Sequence, residues 1–165
     1  LGTTSALAVD DDLLSRLQGE WIGQGLVMIG PGARPEKVYC KIANKLVDGG
    51  SALVQKGRCA VDTNSGSLKV KIVAVGDGRY EGTLNGPHTV GPATLAGHSA
   101  DDRIVLAAEY VDRFSRRPTL SIISLIGGDG DLYQLTSDTL NPVSGQHYQA
   151  ADILFKPYKK KPKSR

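Results

Sequence analysis

Two cysteines, Cys40 and Cys59, are the only thiols in the chain, and their spacing suits a covalent bond between them. They lie in residues 38–61, VYCKIANKLVDGGSALVQKGRCAV, which reads almost the same from both ends around Gly49-Gly50. Adjacent glycines after an Asp supply the positive φ angles that a two-residue hairpin needs. With Gly49 and Gly50 as the loop, Cys40 faces Cys59, Ile42 faces Gly57 and Leu46 faces Leu53. Opposed residues of an antiparallel pair have Cα atoms roughly 4.5–5.5 Å apart, and disulfides span about 4.4–6.8 Å. A Cys40–Cys59 bond therefore needs no backbone movement, and closing a loop of about 20 residues contributes on the order of 3 kcal/mol. The other reading is two buried free thiols. Two cysteines without nearby His or further Cys do not complete a zinc site.

The remaining reactive residue types are scattered. His88 sits in a Gly-Pro loop, NGPHTVGP, while His98 ends a strand-like segment and His147 has no acid or nucleophile near it in sequence. Asp101-Asp102 and the pair Asp129/Asp131 lie in turns, where Asp bonds its own backbone. GGDGD lacks the later ligands of a calcium loop. No G-x-S-x-G, P-loop or H-E-x-x-H is present. Ser121 and Ser124 stand within an apolar run, SIISLI. The expectation is a protein that is not an enzyme and carries no metal or cofactor.

The elements that must position these residues read as strands. Across the first hairpin, one face carries Val38, Cys40, Ile42, Asn44 and Leu46 against Leu53, Gln55, Gly57, Cys59 and Val61, and the other is mostly charged. Gly76-Asp77-Gly78 predicts a second hairpin, a three-residue turn centred on Asp77. It sets Val70 opposite Leu84, Ile72 opposite Gly82 and Ala74 opposite Tyr80. Tyr80 beside a cross-strand glycine is the arrangement of aromatic rescue. In residues 103–111 the alternation puts Ile104, Leu106, Ala108 and Tyr110 on one face.

Strand-like segments are expected at 21–29, 37–46, 52–61, 68–75, 79–84, 94–98, 103–111, 119–126, 132–137 and 148–155, separated by glycine turns. Asp10-Asp11-Asp12 before LLSRLQ predicts one short helix with acids at its positive end. A sheet without helices to cover its buried face closes on itself or packs in pairs. Sequential hairpins favour closure. The predicted fold is all-β, an antiparallel up-and-down β-barrel of 8–10 strands with a short N-terminal helix, spanning residues 9–156.

The 165 residues suffice for one domain with its own core. The formal charge of +3 hides an asymmetry: KPYKKKPKSR at the end holds six Lys/Arg and no acid, leaving 14 basic against 17 acidic residues elsewhere, −3. Residues 157–165 read as a basic tail, either a solubilising end or one that meets an anionic envelope surface. Ala6-Leu7-Ala8 has the small-x-small form that signal peptidases cut, so residues 1–8 read as a signal-peptide remnant or a flexible arm. With two register-matched cysteines this predicts a periplasmic or secreted protein. No apolar run reaches the length of a membrane-spanning helix. Nucleic acid is disfavoured as a partner, because the basic residues cluster at the end rather than across an aromatic-bearing sheet face.

Gly19-Glu20-Trp21, just after the predicted helix, resembles the G-x-W motif that opens the first strand of lipocalins and their calycin relatives. More broadly, Leu17, Gly19, Trp21, Gly23 and Gly25, then Pro35, Glu36, Val38 and Cys40, then Gly57-Arg58-Cys59, then Tyr80 and Gly82 resemble small exported α-proteobacterial envelope proteins that are lipocalin-like. The resemblance implies that Trp21 points into the barrel and plugs its closed end, with Gly23, Gly25 and Val27 on its face. The two glycines then leave room for a ligand or for a bend in the strand.

Trp21, Val27, Tyr80 and Tyr110 are the candidate ligand-binding residues, framing a small hydrophobic molecule with a polar grip. The expected function is a non-enzymatic periplasmic lipocalin-like barrel that binds such a ligand. One alternative is an envelope structural or interaction protein with a solid core and a working basic tail. Another follows from a similarity to bacterial metalloprotease-inhibitor barrels, in which an N-terminal arm, here residues 1–12, would inhibit.

Overall fold

The computed structural model describes residues 9–62, 64–127, 131–141 and 143–158, with side chains from Leu13 onward. Helix α1 (Val9–Arg16) precedes ten strands: β1 (Gly19–Val27), β2 (Glu36–Val47), β3 (Ala52–Val61), β4 (Asn64–Gly76), β5 (Arg79–Asn85), β6 (Thr89–Ala100), β7 (Arg103–Asp112), β8 (Pro118–Gly127), β9 (Tyr133–Leu140) and β10 (His147–Pro157). Every sequential pair is antiparallel, and β1 also pairs with β10, so the sheet closes into a ten-stranded barrel. Closure leaves no sheet edge and joins the inner faces of all ten strands into one continuous lining. The expected arm (residues 1–8) and, of the expected tail at 157–165, all but Pro157 and Tyr158 lie outside the described residues, as does Asp129; Pro157 ends β10, and residues 9–12 of the proposed inhibitory arm begin α1.

The first hairpin has the expected register. Cys40 faces Cys59, Ile42 faces Gly57 and Leu46 faces Leu53. The two cysteines are disulfide-bonded, with Cα atoms 4.1 Å apart. The loop differs from the two residues expected: Val47 and Ala52 are the last pair, and Asp48–Gly50 forms a tight turn closed by Ser51. Asp48, Gly49 and Gly50 all take positive φ, and the Asp48 carbonyl accepts from the Ser51 amide and hydroxyl. Lengthening the loop by one residue on each side preserves the symmetry, and so preserves the register.

The second hairpin also keeps its register, with Val70 opposite Leu84, Ile72 opposite Gly82 and Ala74 opposite Tyr80. Its turn is Asp77-Gly78, shorter than expected, and a bulge between Ala74 and Gly76 takes up the extra residue. β6 begins five residues before its expected start. Gly91-Pro92, read in sequence as a loop, is absorbed by a register shift between Val90 and Thr94, where a missing proline amide breaks no ladder bond.

The two ends of the barrel differ. The turn of the first hairpin at Asp48–Gly50, the turns at 77–78 and 101–102, and α1 gather at one end; the β1–β2, β3–β4, β5–β6, β7–β8 and β9–β10 connections leave from the other. Leu14 and Leu17 of the α1 segment are buried in the same core cluster as Trp21, Ile42, Tyr133 and Phe155, so the helix end of the barrel is stoppered.

Candidate ligand-binding site

The stopper is built on one carbonyl. Where α1 ends, the last turn leaves main-chain oxygens without helical partners. The Leu17 carbonyl accepts from the Trp21 indole Nε1 at 2.9 Å and from Asn44 Nδ2 at 2.8 Å. Asn44 Nδ2 also donates to the Tyr133 hydroxyl at 3.3 Å. Trp21 meets Tyr133 edge-on, at 4.7 Å between ring centroids, and Tyr133 stacks on Phe155 at 4.6 Å. Burial holds the Tyr133 phenol far above its ordinary pKa, outweighing the opposite pull of the Asn44 hydrogen bond. Asn44 Oδ1 is the single buried side-chain oxygen or nitrogen without a partner among the described residues.

Above this floor the barrel is not filled. A cavity of about 310 Å³ runs from the floor to the opposite end, walled by Val38, Leu53, Leu68, Val70, Leu84, Leu95, Leu106, Ile123, Leu135 and Ile153 among others. One side of the wall is polar. The Tyr110 hydroxyl and Ser121 Oγ are 3.0 Å apart, and Ser121 Oγ and Thr139 Oγ1 are 2.7 Å apart. Ser121 and Thr139 are directly opposed on β8 and β9, so their hydroxyls bridge the strands, while Tyr110 leans one pair along from Thr119. Ser137 and Tyr148 extend the same polar side.

Among the described residues, no Lys or Arg lines the cavity. Its charge-bearing groups are Asp112 and His88, both on the elements that form the open end. His88 sits against Phe114, with ring centroids 5.6 Å apart. His88 is exposed as a whole, and partial desolvation of its ring beside Phe114 lowers its pKa from the ordinary value, with the Asp112 carboxylate opposing. Burial raises the Tyr148 pKa, with Tyr110 and Asp112 adding to it.

The four residues expected to frame a ligand separate into two groups. Val27 and Tyr110 line the cavity. Trp21 and Tyr80 are buried, at 4% and 1% exposure, but neither is on the cavity wall: Trp21 closes the floor, and Tyr80 packs opposite Ala74 and Gly97 at the helix end. The inward glycines of β1 do not supply the cavity. The space beside Gly23 is taken by the Phe155 ring, and at Gly25 the main chain of Asp152 and Ile153 on β10 comes so close that a side chain would collide with it. Bending and close strand approach account for both.

The hydroxyl wall was not anticipated. Its signal in sequence was Ser121 alternating with the inward Ile123, and Asn44 was already visible as the amide on an apolar face. The disulfide adjoins the site, since Cys59 lines the cavity next to Val61.

No family model matches the sequence, and no curated protein matches it, so the resemblance to α-proteobacterial envelope proteins gains no sequence-family support. Among solved structures the chain is similar to the S-type phycobiliprotein lyase CPES from Guillardia theta, with a TM-score of 0.60, 15% sequence identity, and coverage of 94% of this chain and 96% of that one. That match overturns one expectation drawn from the sequence. The absence of catalytic motifs was read as excluding an enzyme, yet a lyase is built on a barrel of this shape, so the exclusion does not stand.

Proposed function

We propose that the barrel binds a small, electrically neutral and mainly apolar molecule, taken in through the end opposite α1. The observation that carries this reading is the cavity itself: about 310 Å³, apolar on most sides, with one line of hydroxyls and no cationic side chain among its described lining residues. Its volume lies at the lower end of the range for ligand pockets. A buried carboxylate or phosphate without a cation would lose its hydration and gain no counter-charge. A hydroxyl, ketone or ester would instead join the Tyr110–Ser121–Thr139 line at no such cost. In this reading Val27 and Tyr110 touch the ligand, while Trp21 and Tyr80 keep the floor rigid beneath it. The architecture shared with a phycobiliprotein lyase supports a barrel that holds a small molecule. The disulfide supports a periplasmic or secreted setting, where such bonds persist.

The test uses N-phenyl-1-naphthylamine, a neutral fluorophore that brightens in apolar sites, and its displacement by dodecanol and by laurate at pH 8. Brightening, with dodecanol displacing at a concentration at least tenfold below laurate, is the expected result. Brightening with laurate as the stronger competitor would keep the cavity and sink its neutrality. No brightening, together with native mass spectra free of any bound small molecule in protein from its own source, would sink the ligand reading altogether.

A further inference from the structure

The loops around the cavity mouth are unlike the rest of the surface. Phe114, Val143 and Ile29 are exposed at 58%, 71% and 40%, on three loops that follow one another around the rim: 113–117, 141–146 and 28–35. Arg113, Arg116 and Arg117 flank Phe114, and Arg34 shares a loop with Ile29; all four are exposed. Asp62 is the one acid within the five loops of this end and lies outside that arc, while Glu36 and Asp112 stand at the strand ends that border it. The opposite end is richer in acids: Asp48, Asp77, Asp101, Asp102 and Asp131 occupy its turns, with Arg79 and Arg103 beginning the strands that follow and Arg16 ending α1.

The 113–117 loop is also held in shape. The Arg116 amide donates to the Asp112 carbonyl at 2.8 Å, the Asp112 amide to the Arg117 carbonyl at 3.0 Å, and the Ser115 amide to Asp112 Oδ2 at 2.8 Å. Arg116 takes a φ of 61°, a left-handed conformation that an L side chain adopts at a cost. Phe114 and its arginines are thus presented from a stitched loop.

From this arrangement we propose that the protein docks mouth-first on an anionic lipid bilayer. Protruding apolar side chains set among arginines match the interface of such a bilayer, where apolar groups reach the acyl boundary and guanidinium groups meet lipid phosphates. A nucleic acid would call for aromatic platforms along a basic groove rather than apolar tips around a hole. Docking at this end places the open cavity against the hydrocarbon, where an apolar ligand could pass without crossing water. The inference stands on the rim alone and does not depend on what fills the cavity.

Co-sedimentation of the full chain with vesicles of phosphatidylcholine alone or mixed with phosphatidylglycerol tests it. The basic residues Lys159, Lys160, Lys161, Lys163 and Arg165 could also attract anionic lipid, so a variant with all five changed to Gln is run beside the rim variants. Binding to the mixed vesicles should fall at least tenfold in R113Q/R116Q/R117Q and also in F114S/V143S, with unchanged circular dichroism. In Phe114→Trp, emission should shift to the blue when mixed vesicles are added, over a Trp21 background already buried. Rim variants that bind like the parent while the tail variant loses binding would overturn the proposal, and so would a chain that binds no vesicle of either composition.

Discussion

Asn44 donates from Nδ2 to the main-chain carbonyl of Leu17 at 2.8 Å, tying the inner wall of β2 to the end of the only helix among the described residues. The same oxygen holds Trp21, so one carbonyl joins the helix, the first strand and the second strand at the barrel floor. Removing the amide strands buried polar groups rather than merely deleting a contact.

Asn44→Ala should therefore lower unfolding stability by about 1–3 kcal/mol, the cost of buried groups left unpaired. Asn44→Asp should cost more, because it sets a carboxylate against the Leu17 carbonyl in a closed interior. Urea unfolding followed by Trp21 fluorescence measures both, and the order Asp worse than Ala is the decisive feature.

The hydroxyl wall should separate binding from stability. In Tyr110→Phe/Ser121→Ala/Thr139→Val every member of the hydroxyl line becomes apolar, so no hydroxyl of that line is left without its partner and the change is nearly neutral for folding. A ligand hydroxyl would lose its partners, and dodecanol affinity should fall roughly fivefold, about 1 kcal/mol. A titration with dodecanol beside dodecane checks this, because dodecane binding should not fall.

The disulfide closes the first hairpin and should contribute on the order of 3 kcal/mol. Cys40→Ala/Cys59→Ala, or reduction of the parent, should lower the unfolding midpoint accordingly. Cys40 is wholly buried, so reduction should need a denaturant or long exposure, as thiol labelling over time would reveal.

Gly97 faces the barrel interior opposite Leu106, and a Cβ there would strike the Val105 carbonyl. Gly97→Ala should cost about 1–3 kcal/mol through overpacking, although the residue sits in a strand where Ala is otherwise acceptable. Gly145, which takes a φ of +74° in an open loop with nothing near its side-chain position, should respond to the same change only through its backbone. Comparing the two by thermal unfolding isolates the steric part.

His88 carries a pH dependence of known sign. Its folded pKa lies below the ordinary 6.5, so the unfolded chain binds the proton more readily. The contribution is complete above that ordinary value and is lost as pH falls through it toward the folded pKa. The unfolding midpoint of the parent relative to His88→Gln should be constant above about pH 7, fall as pH drops from the ordinary value toward the folded pKa, and level off at the lower offset below it.

Much of the fold was legible because it is local. A strand's period of two, glycines in the turns and a near-palindromic sequence set the register of the first hairpin, and the second followed from the alternation of Val70, Ile72 and Ala74 against Tyr80 and Leu84. Loop lengths were read less well, since a hairpin can lengthen or bulge without moving its pairs, as it does at Asp48 and at Val75. Of the four residues expected to frame a ligand, Val27 and Tyr110 lie on the cavity wall and Trp21 and Tyr80 at the buried end, a division set by how far along its strand each residue stands.

By itself, then, the sequence determined which residues share a face across the first two hairpins and that Cys40 stands opposite Cys59, because those depend on neighbours within one hairpin. Only the tertiary structure decided which end stays open, that space remains inside, and that Tyr110, Ser121 and Thr139 form a line. These depend on how β1 seats against β10 and on the summed volumes of side chains from ten strands, quantities that no single segment carries.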